Sequence, residues 1–296
     1  MSDTVEGLSR KISSAGDLQS VVRTMKALAA SGIGQYEKSV RALADYYRTV
    51  ELGLGVCFRE RELAGVILEP KTPTYGPVSA IVFGSDQGLV GEFNDVVADY
   101  AIKSFSVLPG KAQVWAVGER VHARLADAGV NLLGLFSVPN SVQAITPLVG
   151  QIQIESEAHR AKAENAGVWV IHNRPLSGAL YEPVLQRLLP LDATWQQSLA
   201  KRVWPTVNLP EIIGSGSATL NALVREYIFI SLFRACAESL ASENASRLAA
   251  MERTDKKISD LLERLHSTFN QLRQDGIDEE LFDVVSGFEA LLGSRR

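Results

Sequence analysis

Proline does not occur before Pro70 or after Pro210, so both ends of the chain are free of the residue that most reliably breaks a helix. Cysteine is nearly missing. Cys57 and Cys236 are the only two, and their separation rules out a metal knuckle. They are read as thiols of a reducing compartment, not as a disulfide framework. No uncharged apolar run approaches the roughly 18 residues that a membrane-spanning helix needs. The opening MSDTVEGLSRKISS carries no apolar core of a secretory signal, so a soluble cytoplasmic protein is expected. Positive charge is not in excess. The net charge is −4 and the pI near 5.7, which argues against nucleic acid as the main partner.

Apolar residues make up 46% of the chain and charged residues 22%, enough for a sizeable core. Their spacing is informative at both ends. Alternating steps of three and four from Val5 pass through Leu8, Ile12, Ala15, Gln19, Val22, Lys26, Ala29, Ile33, Tyr36, Val40, Leu43, Tyr47, Val50 and Leu54. Only Gln19 and Lys26 interrupt that apolar seam. A heptad repeat held this long predicts a helix from about Ser2 to Phe58, roughly 80 Å long, wound against a partner. The last segment predicts a second long helix from Thr219 to Leu292. Its small-residue stretch runs through Ala235, Ala237, Ala241, Ala245, Ala249 and Ala250. Its seam follows at Ile258, Leu262, Leu265, Phe269 and Leu272. The phase slips at Gly276, and a new stripe follows through Ile277, Leu281, Val284, Phe288 and Leu291. Wound antiparallel, the longer second helix leaves a lone tip, apolar at Leu281, Phe282, Val284, Val285, Phe288, Leu291 and Leu292. Such a tip needs a protein sleeve.

The middle alternates between periods of two and 3.6. VSAIVFG, AQVWAVG, LLGLFSV and GVWVIHNRP are expected strands, separated by helical segments at 95–106, 119–129 and 143–166, with an edge strand near Leu185 to Leu189. The expected fold is therefore an α/β protein with a central Rossmann-like, mostly parallel domain, plus a long antiparallel coiled coil of the two terminal helices. The expected divisions are an N-terminal shaft helix at 1–58, a linker at 59–77 carrying Pro70, Pro73 and Pro77, and a central α/β domain at 78–202. A second linker at 203–218 and a C-terminal shaft helix at 219–296 complete the chain.

Candidate chemistry is sparse. The loop GSDQGLVG follows a strand and opens a helix, where a phosphate cradle would sit. It matches neither common phosphate motif and no lysine follows, so a structural turn is expected, with no cofactor. His122, His159, His172 and His266 stand far apart and form no zinc-binding pair. Ser177 has no nucleophile-elbow pattern around it. The acids Asp275, Asp278, Glu279, Glu280 and Asp283 scatter around a helix and suit a solvated or partner-facing surface better than a cation site. Lys26 is either a register device or a contact exposed where the partner helix is absent.

Three ordered segments carry a family resemblance over essentially the whole length. SRKISSAGDLQSVVRTMKALAAS (9–31) resembles the opening helix of the γ subunit of F-type ATP synthases. SDQGLVGEFN (85–94) is similar to that family's S/T-D-x-G-L-C-G-x-x-N loop, matched by Ser85, Asp86, Gly88, Leu89, Gly91 and Asn94. LASENASRLAAMERTDK and FNQLRQDGIDEELFDVVSG resemble its C-terminal A-S-E-x-x-A-R-x-x-A-M and Y-N-x-x-R-Q-x-x-I-T-x-E-I-x-E-I-V-x-G. The resemblance implies a non-catalytic rotor shaft, turning inside a ring of α and β subunits with its foot on an ε subunit and a membrane c-ring. It is then peripheral to the cytoplasmic face of a bacterial membrane. It also implies subunit contacts at Arg273, Gln274, Glu280, Asp283, Arg247, Met25 and Lys26. Gly32, Ile33 and Gly34 stand where the family commonly has a basic K-M-R. Val90 replaces a cysteine and Asp278 a threonine, which points to a divergent or alternate bacterial type. The competing readings are a nucleotide-binding α/β protein dimerised by its helices, and a coiled-coil scaffold unrelated to rotation.

Overall fold

A computed structural model describes residues 4–63, 78–108, 110–162, 167–176, 180–208 and 210–293. The linker prolines Pro70, Pro73 and Pro77, and Ser177, lie outside the described residues, as do the side chains of Phe288, Leu291 and Leu292. The chain forms two compact units, one of residues 1–28 with 248–296, the other of residues 29–247.

The N-terminal helical stretch consists of α1 (Val5–Ala42) and α2 (Ala44–Leu63). The single expected helix is interrupted only at Leu43. There the i→i−4 ladder persists, since Leu43 N donates to Ser39 O and Tyr47 N to Leu43 O. It also runs five residues beyond Phe58. Next come β1 (Val78–Phe83), α3 (Phe93–Phe105), β2 (Ala112–Val117), α4 (Glu119–Asp127), β3 (Leu132–Phe136), α5 (Val142–Lys162), β4 (Gly167–Pro175), β5 (Tyr181–Leu189), α6 (Ala193–Ala200) and α7 (Gly216–Gly293).

The five strands form one sheet in the order β3-β2-β1-β4-β5, with parallel neighbours except for the antiparallel β4–β5 edge pair. Pleating sends alternate residues of β1 to opposite faces. Ala80 and Val82, with Val114 and Ala116 of β2, meet α3 and α4 through Val97, Ala98, Ala101, Val121 and Leu125. Ile81 and Phe83, with Val117, Val168 and Val170, join Ile145, Val149 and Ile152 of α5 and the apolar faces of α2 and α7. Both faces of the sheet are thus covered by helices, which is why its central strands are apolar without alternation.

The short helix α6 was not among the expected elements. Asp192 caps it by accepting from Trp195 N at 2.9 Å. Arg59 of α2 closes its other end by donating to the carbonyls of Ala200 and Arg202. The two helices meet at Gly55, where a Cβ would come within 2.6 Å of the Leu199 carbonyl oxygen, so only glycine fits.

Candidate functional site

In the first unit α1 and α7 run antiparallel. Gln19 Nε2 donates to Asp255 Oδ1 at 3.1 Å and to Ser259 Oγ at 2.8 Å, and Arg23 Nε lies 3.4 Å from Asp255 Oδ1. Lys26 Nζ lies 3.7 Å from Glu252 Oε1. Facing residue numbers total between 274 and 278 in every one of these pairs. Between them Val22 packs with Met251 and Ile258, bordered by Met25, Ala250 and Leu262. Both polar interruptions of the seam are therefore answered across the coil, and Lys26 acts in register while keeping 38% of its side chain exposed. In steps of seven along the N-terminal stretch, Leu8, Ala15, Val22, Ala29, Tyr36, Val50 and Cys57 are buried, and Leu43, at the interruption, is half-buried.

The register sets where pairing stops. The first residues of α1 face α7 near residue 270, and Leu272 is the last partly buried seam residue of α7. From Arg273 to Gly287 every side chain is exposed. Phe282 and Val284 are 69% and 73% exposed, beside Ile277, Leu281 and Val285. Arg273, Gln274, Glu280 and Asp283 stand on this bare stretch, with the acids Asp275, Asp278 and Glu279. Among the described residues no group of His, Cys, Asp or Glu is placed to hold a metal ion.

In the second unit the coil has the same antiparallel order. A Cβ on Gly32 would lie 3.0 Å from Asn244 Oδ1, and one on Gly53 would lie 3.1 Å from Leu223 Cδ1. Arg247 is not displayed. Its guanidinium donates to Glu243 Oε1 at 2.7 Å, with only 13% of its side chain exposed. Burial pushes the Glu243 carboxyl up, against the pull of Arg247.

The loop from Ser85 to Asn94 is built as a joint. Ser85 N donates to Asn94 Oδ1 at 2.9 Å, Asn94 Nδ2 donates back to Ser85 Oγ at 2.8 Å, and Ser85 Oγ donates to Gln87 O. Asp86 accepts from two distant amides, Glu119 N through Oδ1 at 2.9 Å and Val138 N through Oδ2 at 2.8 Å. It thereby ties the end of β1 to the start of α4 and to the loop after β3. Leu89 and Gly91 take positive φ, 63° and 57°, which brings the chain round into α3. A Cβ on Gly118 would sit 2.8 Å from the Ser85 backbone, so the loop also depends on that glycine. The N-terminal amide of α4 is where an anion would bind. Here a carboxylate of the chain itself, Asp86, occupies that place.

One buried constellation escaped the sequence reading. His172 Nε2 of β4 lies 2.8 Å from Glu238 Oε2 of α7, and Glu238 Oε1 accepts from Arg234 Nε at 2.7 Å. Burial holds the imidazole below its ordinary pKa despite Glu238. Burial alone would raise Glu238, but hydrogen bonds from His172 and Arg234 outweigh it and hold the carboxyl low. The pair is therefore a neutral imidazole donating to a carboxylate. A lone His in an apolar strand and a lone Glu in an alanine-rich stripe were the available signal.

A family model described as ATP synthase matches residues 4–291. Solved structures share the fold. A chain of the central stalk and c-ring structure of Tetrahymena thermophila mitochondrial ATP synthase is 21% identical, with a TM-score of 0.58, covering 79% of this chain and 99% of its own. A chain of the Euglena gracilis mitochondrial ATP synthase rotor is 14% identical with a TM-score of 0.62, covering 92% and 98%. One from the OSCP/F1/c-ring structure of the same enzyme is 14% identical with a TM-score of 0.63, covering 99% and 96%.

Proposed function

Because the chain belongs to the γ family of F-type ATP synthases, the rotary stalk subunit of that complex, we propose that it couples ion flow through a membrane c-ring to conformational change in catalytic β subunits and hydrolyses nothing itself. The observation that carries this reading is the end of the coil. α7 runs on past Leu272 as a helix whose apolar side chains, Phe282 and Val284 among them, are exposed and uncovered by any of the described residues. A ring of α and β subunits is the sleeve that such a helix fits. In the paired part Gln19 and Lys26 bond across the seam to Asp255, Ser259 and Glu252, which holds the two helices in one register.

In this role Arg273 and Gln274 offer exposed hydrogen-bond donors to β-subunit loops, and Glu280 and Asp283 supply acidic contacts nearby. Met25 and Lys26 reach the ring from the edge of the seam. Arg247, paired with Glu243, meets the ring only through the 13% of its side chain that is exposed. The foot rests on an ε subunit and the c-ring, where the almost fully exposed Val203, Val207 and Ile213 offer an apolar surface. No helix among the described residues is long and apolar enough to cross a membrane, so the chain works as a peripheral subunit, here at the cytoplasmic face of a bacterial inner membrane. In this reading residues 1–58 and 219–296 serve as the shaft, 59–77 and 203–218 as linkers, and 78–202 as the central domain.

The test is assembly. Co-expressed with the α and β subunits of its own organism, the chain should co-purify in a complex that hydrolyses ATP, at about one copy to three of each. Removing residues 277–296 should weaken that complex. Isolation of the chain as a stable stand-alone oligomer, with ATP synthase intact in cells deleted for it, sinks the proposal.

A further inference from the structure

Above the alanines of α7, three polar residues spaced four apart lie on one face: Glu238, Ser242 and Ser246. All three are buried, and each makes a hydrogen bond to the α/β fold. Glu238 accepts from His172 of β4 at 2.8 Å. Ser242 Oγ donates to Asn173 O of the same strand at 3.0 Å. Ser246 Oγ donates to Val90 O in the loop that Asp86 anchors. A second layer supports them. Asn173, fully buried, donates from Nδ2 to Phe93 O at the start of α3 at 2.9 Å, and the Phe93 ring packs edge-on against Tyr181 of β5. Arg234 and Arg174 flank Glu238 from α7 and β4.

Apolar packing favours one face of a helix against a sheet, but it fixes the rotation less sharply than a directional bond does. Hydrogen bonds have direction, and a buried carboxylate or hydroxyl turned away from its partner is left with the cost of desolvation. Turning α7 by one residue, about 100°, removes all three partners at once. We propose that Glu238, Ser242 and Ser246 form a three-rung latch that fixes the rotational setting of α7 on the sheet and passes torque between them, as positioning residues for the rotary reaction. The buried Glu243–Arg247 pair lies on the adjacent face of α7 and is bonded within the helix. Ser231 and Ser239, also buried on α7, make no such bond, so the latch is these three rungs and not the serine content of the helix.

The proposal rests on the stalk reading, and one experiment separates the two. The whole complex, containing Ser242→Ala with Ser246→Ala, or these two with Glu238→Gln, is placed in vesicles. ATP hydrolysis and the ATP-driven membrane potential are recorded together. The latch predicts hydrolysis within about twofold of wild type while potential formed per ATP falls several-fold, further in the triple variant than in the double. Ser242→Thr with Ser246→Thr, which keeps the hydroxyls, should restore coupling. Hydrolysis and coupling falling in equal proportion, or coupling unchanged in the double variant, overturns the latch. The double variant carries the test alone where the triple does not assemble. Failure of the wild-type chain to assemble, or to build any potential, sinks the stalk reading instead.

Discussion

Replacing Asp86 with alanine tests the claim that the Ser85–Asn94 loop is a joint. Its carboxylate accepts two backbone hydrogen bonds, from Glu119 N at 2.9 Å and Val138 N at 2.8 Å. Hydrogen bonds to a charged group contribute about 1.5–3 kcal/mol each. The Glu119 side is exposed, and water would replace part of that bond, so the joint loss should be about 2–4 kcal/mol. Asparagine is not a conservative substitute here. Its amide carries one acceptor and one donor, so one of the two N–H groups would face another N–H. Asp86→Asn should therefore retain at most half of the stabilisation.

Urea denaturation of the wild-type and variant chains measures the total, and amide hydrogen exchange locates it. Glu119 and Val138 amides should exchange at least tenfold faster in Asp86→Ala, while amides of β1 that pair with β2 and β4 keep their protection. A shift below about 0.5 kcal/mol, with those two amides protected as before, would refute the reasoning. It would mean that the loop is held by Ser85 and Asn94 alone.

Met251→Ala, at a buried seam position against Val22, should cost about 2–5 kcal/mol by opening a cavity in the coil, read from the urea midpoint. Phe282→Ser should leave the stability of the chain alone within about 0.5 kcal/mol, because Phe282 is exposed, yet weaken co-purification with α and β subunits; equal assembly argues against the sleeve. Burial lowers the folded pKa of His172, so between that value and 6.5 the unfolded chain binds the extra proton and stability falls as pH drops. His172→Gln should flatten this slope in urea titrations from pH 7 to 5. Gly34→Ala, with open space at its Cβ, should stabilise the helix by about 0.5–1 kcal/mol. At Gly32 the new methyl meets Asn244, itself held by the Leu240 carbonyl, so that gain should disappear.

The coil was legible because a heptad is a local property of sequence. The row from Leu8 through Cys57 needs no knowledge of the partner to be seen, and the loss of burial after Leu272 follows from two helix lengths. The alternation of the middle was legible for the same reason. Its antiparallel edge was foreseen only as a strand near Leu185. What did not show was anything made by chain crossing. Asp86 meets residues 33 and 52 positions away, and His172 meets Glu238 at 66. The histidines look unrelated in the sequence because none has another histidine at ligand spacing, whereas the partner of His172 is a carboxylate. For α6 the signal was present in Asp192, a helix cap, but the neighbouring strand pattern hid it.

The polar residues of the coil set where its bare end begins. A heptad seam of aliphatic side chains alone can slide by a full repeat at little cost, since each knob finds an equivalent hole. Gln19 reaching Asp255 and Ser259, and Lys26 reaching Glu252, remove that freedom, because a slip of seven residues leaves each without its partner. The length of the unpaired stretch of α7 is thereby set by side chains more than ten residues from it in the chain. Polarity inside the rod is spent on its register, whereas on the bare stretch the exposed Arg273, Gln274, Glu280 and Asp283 alternate with Ile277, Leu281, Phe282 and Val284, so that polar groups free of partners in the coil stand among apolar ones.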